Sequence, residues 1–99
     1  MRTDVQFSTQ HPAGVHRVVV GDIVRLETQG LDHVYLLDVM LARRDGEMLI
    51  GNVVVVSPST DIPFERWELK QGEEVAFHQH NIIPAHQDAD NVDQRDEKR

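Results

Sequence analysis

His78-Gln79-His80 is the pair in this 99-residue sequence with the most obvious chemistry. Read on a strand, the two imidazoles fall on the same side, about 7 Å apart from Cα to Cα. Such a pair can chelate Zn²⁺, with His86, Glu74 or Asp88 as further ligands. The alternative is that both rings lie on a solvated outer face beside Glu74. No cysteine and no His-Glu-x-x-His arrangement sharpens the metal reading.

Asp38 is the other chemically suggestive residue. It interrupts an otherwise apolar run of residues 34–42. A carboxylate between Leu36 and Met40 is either an acid–base group of raised pKa or half of an ion pair across a sheet. Arg25 and Arg43 are its candidate partners.

Nucleophilic catalysis finds no support. Ser8, Ser57 and Ser59 stand in loop-like sequence, none of it Gly-x-Ser-x-Gly. The six glycines are scattered, so none builds a phosphate-cradling loop. With no cysteine there is neither a thiol nucleophile nor a thiolate site, and a reducing compartment is favoured. We expect no catalytic residue and no cofactor.

Charge narrows the partners. The formal net charge is −7. Residues 87–99 carry five acids and three bases, so −2 belongs to them and −5 to the rest. Adjacent basic residues occur only as Arg43-Arg44 and Lys98-Arg99, and phosphate backbones need larger clusters of Lys and Arg. Nucleic acid is not an expected partner. No apolar run approaches the roughly 20 residues of a membrane span, and residues 1–14 lack the apolar core of a signal peptide. The expected location is the cytoplasm.

Tyr35, Phe64 and Trp67 are the aromatic candidates for a partner-binding surface, with His78 and His80 beside them. Loop aromatics bury large area with little entropy lost. Phe64 and Trp67 can equally cover an open end of the fold as core.

These residues need a scaffold, and residues 21–56 supply most of it. They read as three consecutive antiparallel strands with turns at Gln29-Gly30 and Asp45-Gly46. Val24 and Leu26 alternate with Arg25 and Glu27, which fits a half-buried strand. Residues 31–44 form a longer run, apolar on both faces, as a central or bent strand would be. Asp45-Gly46 is the strongest hairpin signal. Gly51 sits within the returning strand, where it implies a bulge or a close backbone approach.

Residues 57–61 break the strand. Phe64 and Trp67 are spaced for one short helical turn, with Asp61 as its cap and Pro63 in its first turn, while the alternation of Trp67 and Leu69 fits a strand instead; a loop with one short helical turn is the expectation. Val75 and Phe77 alternate in a further strand. Gly21-Asp22 and Gly72-Glu73 repeat one local device, a Gly-acid turn feeding a strand. The run of residues 53–56 is apolar on both faces and needs cover from the core, a loop or a second subunit.

The expected fold is all-β: a small SH3-like barrel of about five antiparallel strands, with an OB-like barrel as the alternative. Residues 1–86 form one domain, and residues 87–99 read as a disordered charged tail.

The order Gly21-Asp22-x-Val24-x-Leu26, a long apolar strand, Ile50-Gly51-Asn52, then Leu69-Lys70-x-Gly72-Glu73-x-Val75-x-Phe77 resembles a known pattern. It is similar to the YegJ-like family of uncharacterised bacterial small β-barrel proteins, over roughly residues 18–83. Tyr35 and Leu36 stand where that family has Met-Trp, and residues 57–67 depart from its pattern. The resemblance implies a compact barrel and no particular activity.

The functional expectation is a non-enzymatic, acidic protein-binding module of the accessory or inhibitor kind. Its partner is another protein or a second copy, as in a homodimer. The alternative is a metal- or small-ligand-binding protein built on His78, His80 and His86.

Overall fold

The computed structural model describes residues 1–2, 4–10 and 17–84. The described chain is all-β. Its strands are β1 (Gln6–Phe7), β2 (Ile23–Gln29), β3 (Tyr35–Asp45), β4 (Met48–Pro58) and β5 (Glu74–Phe77). They form one five-stranded antiparallel sheet in the order β1-β2-β3-β4-β5. Two short 3₁₀ turns, Phe64–Arg66 and Gln79–Asn81, are the helical elements among the described residues. The expected tail and His86 lie outside the described residues.

Alternation sets which side chains enter the core. In β2, Val24 and Leu26 are buried while Ile23 and Arg25 are exposed. In β3, Tyr35, Leu37, Val39 and Leu41 are all buried. Val75 and Phe77 complete the floor from β5. Full burial of such side chains contributes on the order of 1.5–3 kcal/mol each, before chain entropy is subtracted. That apolar face is what fixes the register, since a one-residue slip would turn it outward.

The β3–β4 hairpin closes one residue later than expected. Asp45 pairs with Met48, so the two loop residues are Gly46 and Glu47. Gly46 still provides the left-handed backbone, at φ 63°. The ladder behind it is irregular, with register shifts at Asp38/Val39 and Leu41/Arg43. Gly51 lies beside the second. A Cβ built there would meet Val39 Cγ1 at 2.5 Å and the Met40 carbonyl oxygen at 2.7 Å. The close backbone approach anticipated at Gly51 is therefore real, and it lets the two long strands cross tightly.

The two Gly-acid turns are copies of each other. Gly21 and Gly72 sit at φ 99° and 95°. The Asp22 amide donates to the Val19 carbonyl, and the Glu73 amide to the Lys70 carbonyl. A turn closed this way, with positive φ at its third residue, is the type II geometry that favours glycine. Each turn also starts a strand. Gly21 and Asp22 exchange backbone hydrogen bonds with Leu41, and Gly72 and Glu73 with Val53.

The N-terminal segment touches both ends of the sheet. Arg2 forms a parallel bridge with Val75, and β1 pairs with the end of β2 through Gln6↔Gln29 and Phe7↔Thr28. Val5 and Phe7 enter the core, where the Phe7 ring meets Phe77 edge-on at 6.5 Å. The Ile83 amide donates to the Arg25 carbonyl, tying the far end of the described chain back to β2.

Candidate functional site

The β5 strand is short, and its length decides where β4 is covered. It pairs with β4 from Leu49 to Asn52. Gly72 and Glu73 extend that contact to Val53. Beyond Val53, β4 runs on to Pro58 with no hydrogen-bonded neighbour on the side away from β3, among the described residues. Burial follows this geometry: Val53 is buried, Val54 and Val56 are half-buried, and Val55 is 45% exposed.

The loop between β4 and β5 rises beside this bare edge. Its 3₁₀ turn starts after Pro63, not under a side-chain cap from Asp61. Proline fixes φ and has no N–H to lose, so it suits the entry to a helical turn. The turn brings the Phe64 and Trp67 rings to 4.8 Å between centroids. Trp67 packs against the core and donates its indole N–H to the Ile62 carbonyl at 3.0 Å. Phe64 is 59% exposed. One aromatic is thus an anchor and the other is mostly exposed.

Between edge and aromatics lies an open groove of about 580 Å³, lined by residues 54–56, Phe64, Trp67, Lys70 and Gln71. Lys70 Nζ sits 4.7 Å from the Phe64 ring centroid, a cation–π placement. Among the described residues no carboxylate lies within ion-pair distance of that ammonium. Lys70 was not legible as a site residue. Its place comes from the second Gly-acid turn, whose first residue it is.

Tyr35 is not part of this surface. It is fully buried and belongs to the core. It opens β3 facing inward, and its amide donates to the buried Thr28 hydroxyl at 2.9 Å. Its hydroxyl donates to Glu68 Oε2 and accepts from the Glu68 amide. Glu68 in turn accepts from the amides of Asp32 and His33, each at 2.9 Å. Burial by itself raises the Glu68 carboxyl pKa. The two backbone N–H groups and the tyrosine hydroxyl outweigh it and hold the pKa below the ordinary carboxylate value. Burial is also the main reason the Tyr35 phenol is pushed up. This knot fastens the β2–β3 connection to the segment that carries Trp67, and no sequence signal marked Glu68 for it.

His78 and His80 do not share a strand face. The strand ends at Phe77, His78 precedes the second 3₁₀ turn, and His80 lies within it. Asn81 causes the break: its side-chain carbonyl accepts the His78 amide at 2.8 Å, and its side-chain amide donates to the Phe7 and Ser8 carbonyls. The two imidazoles stack, with centroids 5.0 Å apart and planes 12° from parallel. Ring-nitrogen lone pairs lie in the ring plane, and a shared Zn²⁺ needs both to converge at about 2.0–2.1 Å. Lone pairs in near-parallel stacked planes run side by side. Among the described residues no group of three or more potential ligands is gathered, and the third expected ligand, His86, lies outside them. The pair borders a smaller cavity of about 310 Å³ that reaches Phe7 and Met48.

Asp38 finds the first of its two expected partners. Arg25 stands directly opposite it in the β2–β3 register. Arg25 Nε donates to Asp38 Oδ1 at 3.0 Å on the outer face of the sheet. Arg43 pairs instead with Glu74. The Asp38 carboxylate is therefore half of a cross-strand ion pair.

Among the described residues no helix is long and apolar enough to cross a membrane. No protein-family model matches the chain, and neither a curated protein nor a solved structure matches it.

Proposed function

We propose that this chain is a non-enzymatic protein-binding module whose partner seats in the groove between the β4 edge and the 3₁₀ turn. The observation that carries it is the exposed Phe64 ring, held against Trp67 beside a bare strand edge. Interface anchors are typically aromatic, because a rigid ring buries much area for few frozen torsions. Trp67 supplies the rigid base, fixed by its indole hydrogen bond and its core contacts. Phe64 supplies the surface a partner covers. Asp38 is taken up by its ion pair and Tyr35 by the core, and among the described residues the groove is larger than the cavity beside the stacked histidines.

The test is selection of displayed random dodecapeptides on the immobilised full-length chain. Peptides that bind the native chain and fail on Phe64→Ala support the reading. Phe64 is exposed, so its loss leaves the core intact. A library that yields no Phe64-dependent binder removes it.

A further inference from the structure

We infer that the partner enters as an added β-strand: an extended segment with apolar side chains at alternate positions and an Asp or Glu near its C-terminal end. This rests on the groove being the binding site and names how it binds and what it takes.

The first observation is the backbone. From residue 54 to Pro58, β4 has a neighbour only on its β3 side, among the described residues. Its outward amides and carbonyls are a template for one more strand. Natural edges are usually guarded by charges or by an interrupting proline. Here residues 53–57 are Val-Val-Val-Val-Ser, uncharged, and proline arrives only at position 58. The strand itself carries no guard where the groove lies, and the β4–β5 loop stands beside it with the groove between.

The second observation is direction. β5 occupies the same edge of β4, antiparallel, over Leu49 to Asn52. A guest strand continuing that line antiparallel to β4 runs from the Pro58 end towards the Gly72 turn. Its C-terminal end then approaches Gly72, whose amide donates to the Val53 carbonyl, and so the neighbouring Lys70 and Gln71 that line the groove. Every strand pair of the sheet is antiparallel, so the guest keeps the pattern.

The third observation is charge. Lys70 Nζ lies over the Phe64 ring without a carboxylate partner among the described residues. A guest carboxylate at the C-terminal end gives it one. The chain's net charge of −7 disfavours a strongly acidic peptide, so the guest's acidic character is confined to the end that meets Lys70. Alternate guest side chains, two residues apart on one face, reach Phe64 and Trp67.

The test uses a Phe64-dependent dodecapeptide from the library, synthesised as such and with single N-methyl groups along its backbone. Strand addition predicts that N-methylation at every second residue weakens binding about tenfold or more, and that the intervening positions tolerate it. Adding the unmodified peptide protects the outward amides of residues 54–57 from hydrogen exchange. Lys70→Glu weakens binding, and replacing the peptide's acidic residue by Lys restores it on that variant. Phe64-dependent binding with no alternation in the N-methyl series and no protection on β4 overturns strand addition while leaving the groove as the site. No Phe64-dependent binder at all overturns both. Concentration-dependent dimerisation of the chain with the same amide protection makes a second copy the occupant and overturns the proposed peptide chemistry.

Discussion

Asp22 and Glu73 hold equivalent places in the two turns that open β2 and β5. Each carboxylate accepts the backbone amide of the residue three earlier: Asp22 Oδ2 from Val19 at 2.9 Å, Glu73 Oε2 from Lys70 at 2.7 Å. Each residue's own amide donates back to that same earlier residue's carbonyl. The Gly-acid pair thus closes a turn from both sides. Glu73 does one thing more, receiving Arg2 Nη1 at 2.6 Å and so pinning the N-terminal segment to the start of β5.

The glycines of these turns are predicted to be intolerant of a side chain. Gly21→Ala and Gly72→Ala each lose about 1–2 kcal/mol, because φ near +95° is strained for any residue with a Cβ. The space around both positions is open, so the loss is conformational rather than steric. Urea denaturation with an unchanged m-value reads it. A stability equal to the native chain's means the positive φ is not required.

Gly51 is predicted to fail for the opposite reason. Its backbone carries no positive φ, but a methyl group there collides with Val39 and with the Met40 carbonyl. Gly51→Ala is expected to cost about 1–3 kcal/mol through overpacking. Gly51→Ala together with Val39→Ala should recover part of that loss in a double-mutant cycle. Additive losses would exclude the Val39 contact and leave the Met40 carbonyl as the cause.

Glu68 predicts an acid sensitivity. Its folded pKa lies below the ordinary value of 4.5, set against burial by the Asp32 and His33 amides and the Tyr35 hydroxyl. A depressed carboxylate pKa contributes stability that is present above the unfolded value and lost as pH falls through the folded one. Stability should therefore drop below about pH 4.5, and the drop should be shallower in Glu68→Gln. Asp4, held at about 2 by Arg2, and Glu74, lowered by Arg43, persist in both proteins, so the difference isolates Glu68. Chemical denaturation between pH 3 and 6 measures it; parallel curves would dismiss the Glu68 knot as an acid-sensitive contact.

The Arg25–Asp38 pair is predicted to matter little. Arg25 is more than half exposed, and exposed cross-strand pairs contribute about 0.2–1 kcal/mol. Asp38→Asn should cost no more than this, and less at 1 M salt, where screening is short-ranged. A loss of several kcal/mol would mean that the carboxylate has a buried role which its contact with Arg25 does not explain.

The local periodicities determined the all-β class, the three-stranded meander, the buried faces of β2 and β5 and the two Gly-acid turns, and left the stretch around Phe64 between a turn and a strand. Each is a property of neighbouring residues: alternation at period two, a glycine able to take positive φ, an acid able to reach back three residues. Tertiary structure decided what depends on distant partners. Tyr35 reads as an aromatic surface candidate until Thr28 and Glu68 are brought to it and bury it. His78 and His80 read as strand neighbours until Asn81, bonded to Phe7 and Ser8, ends the strand, and the two rings stack instead. The bare edge of β4 is likewise a matter of length. The sequence shows four valines needing cover, but only the folded chain shows that β5 and the Gly72-Glu73 turn before it stop covering them at Val53 and that Phe64, Trp67 and Lys70 line the groove beyond.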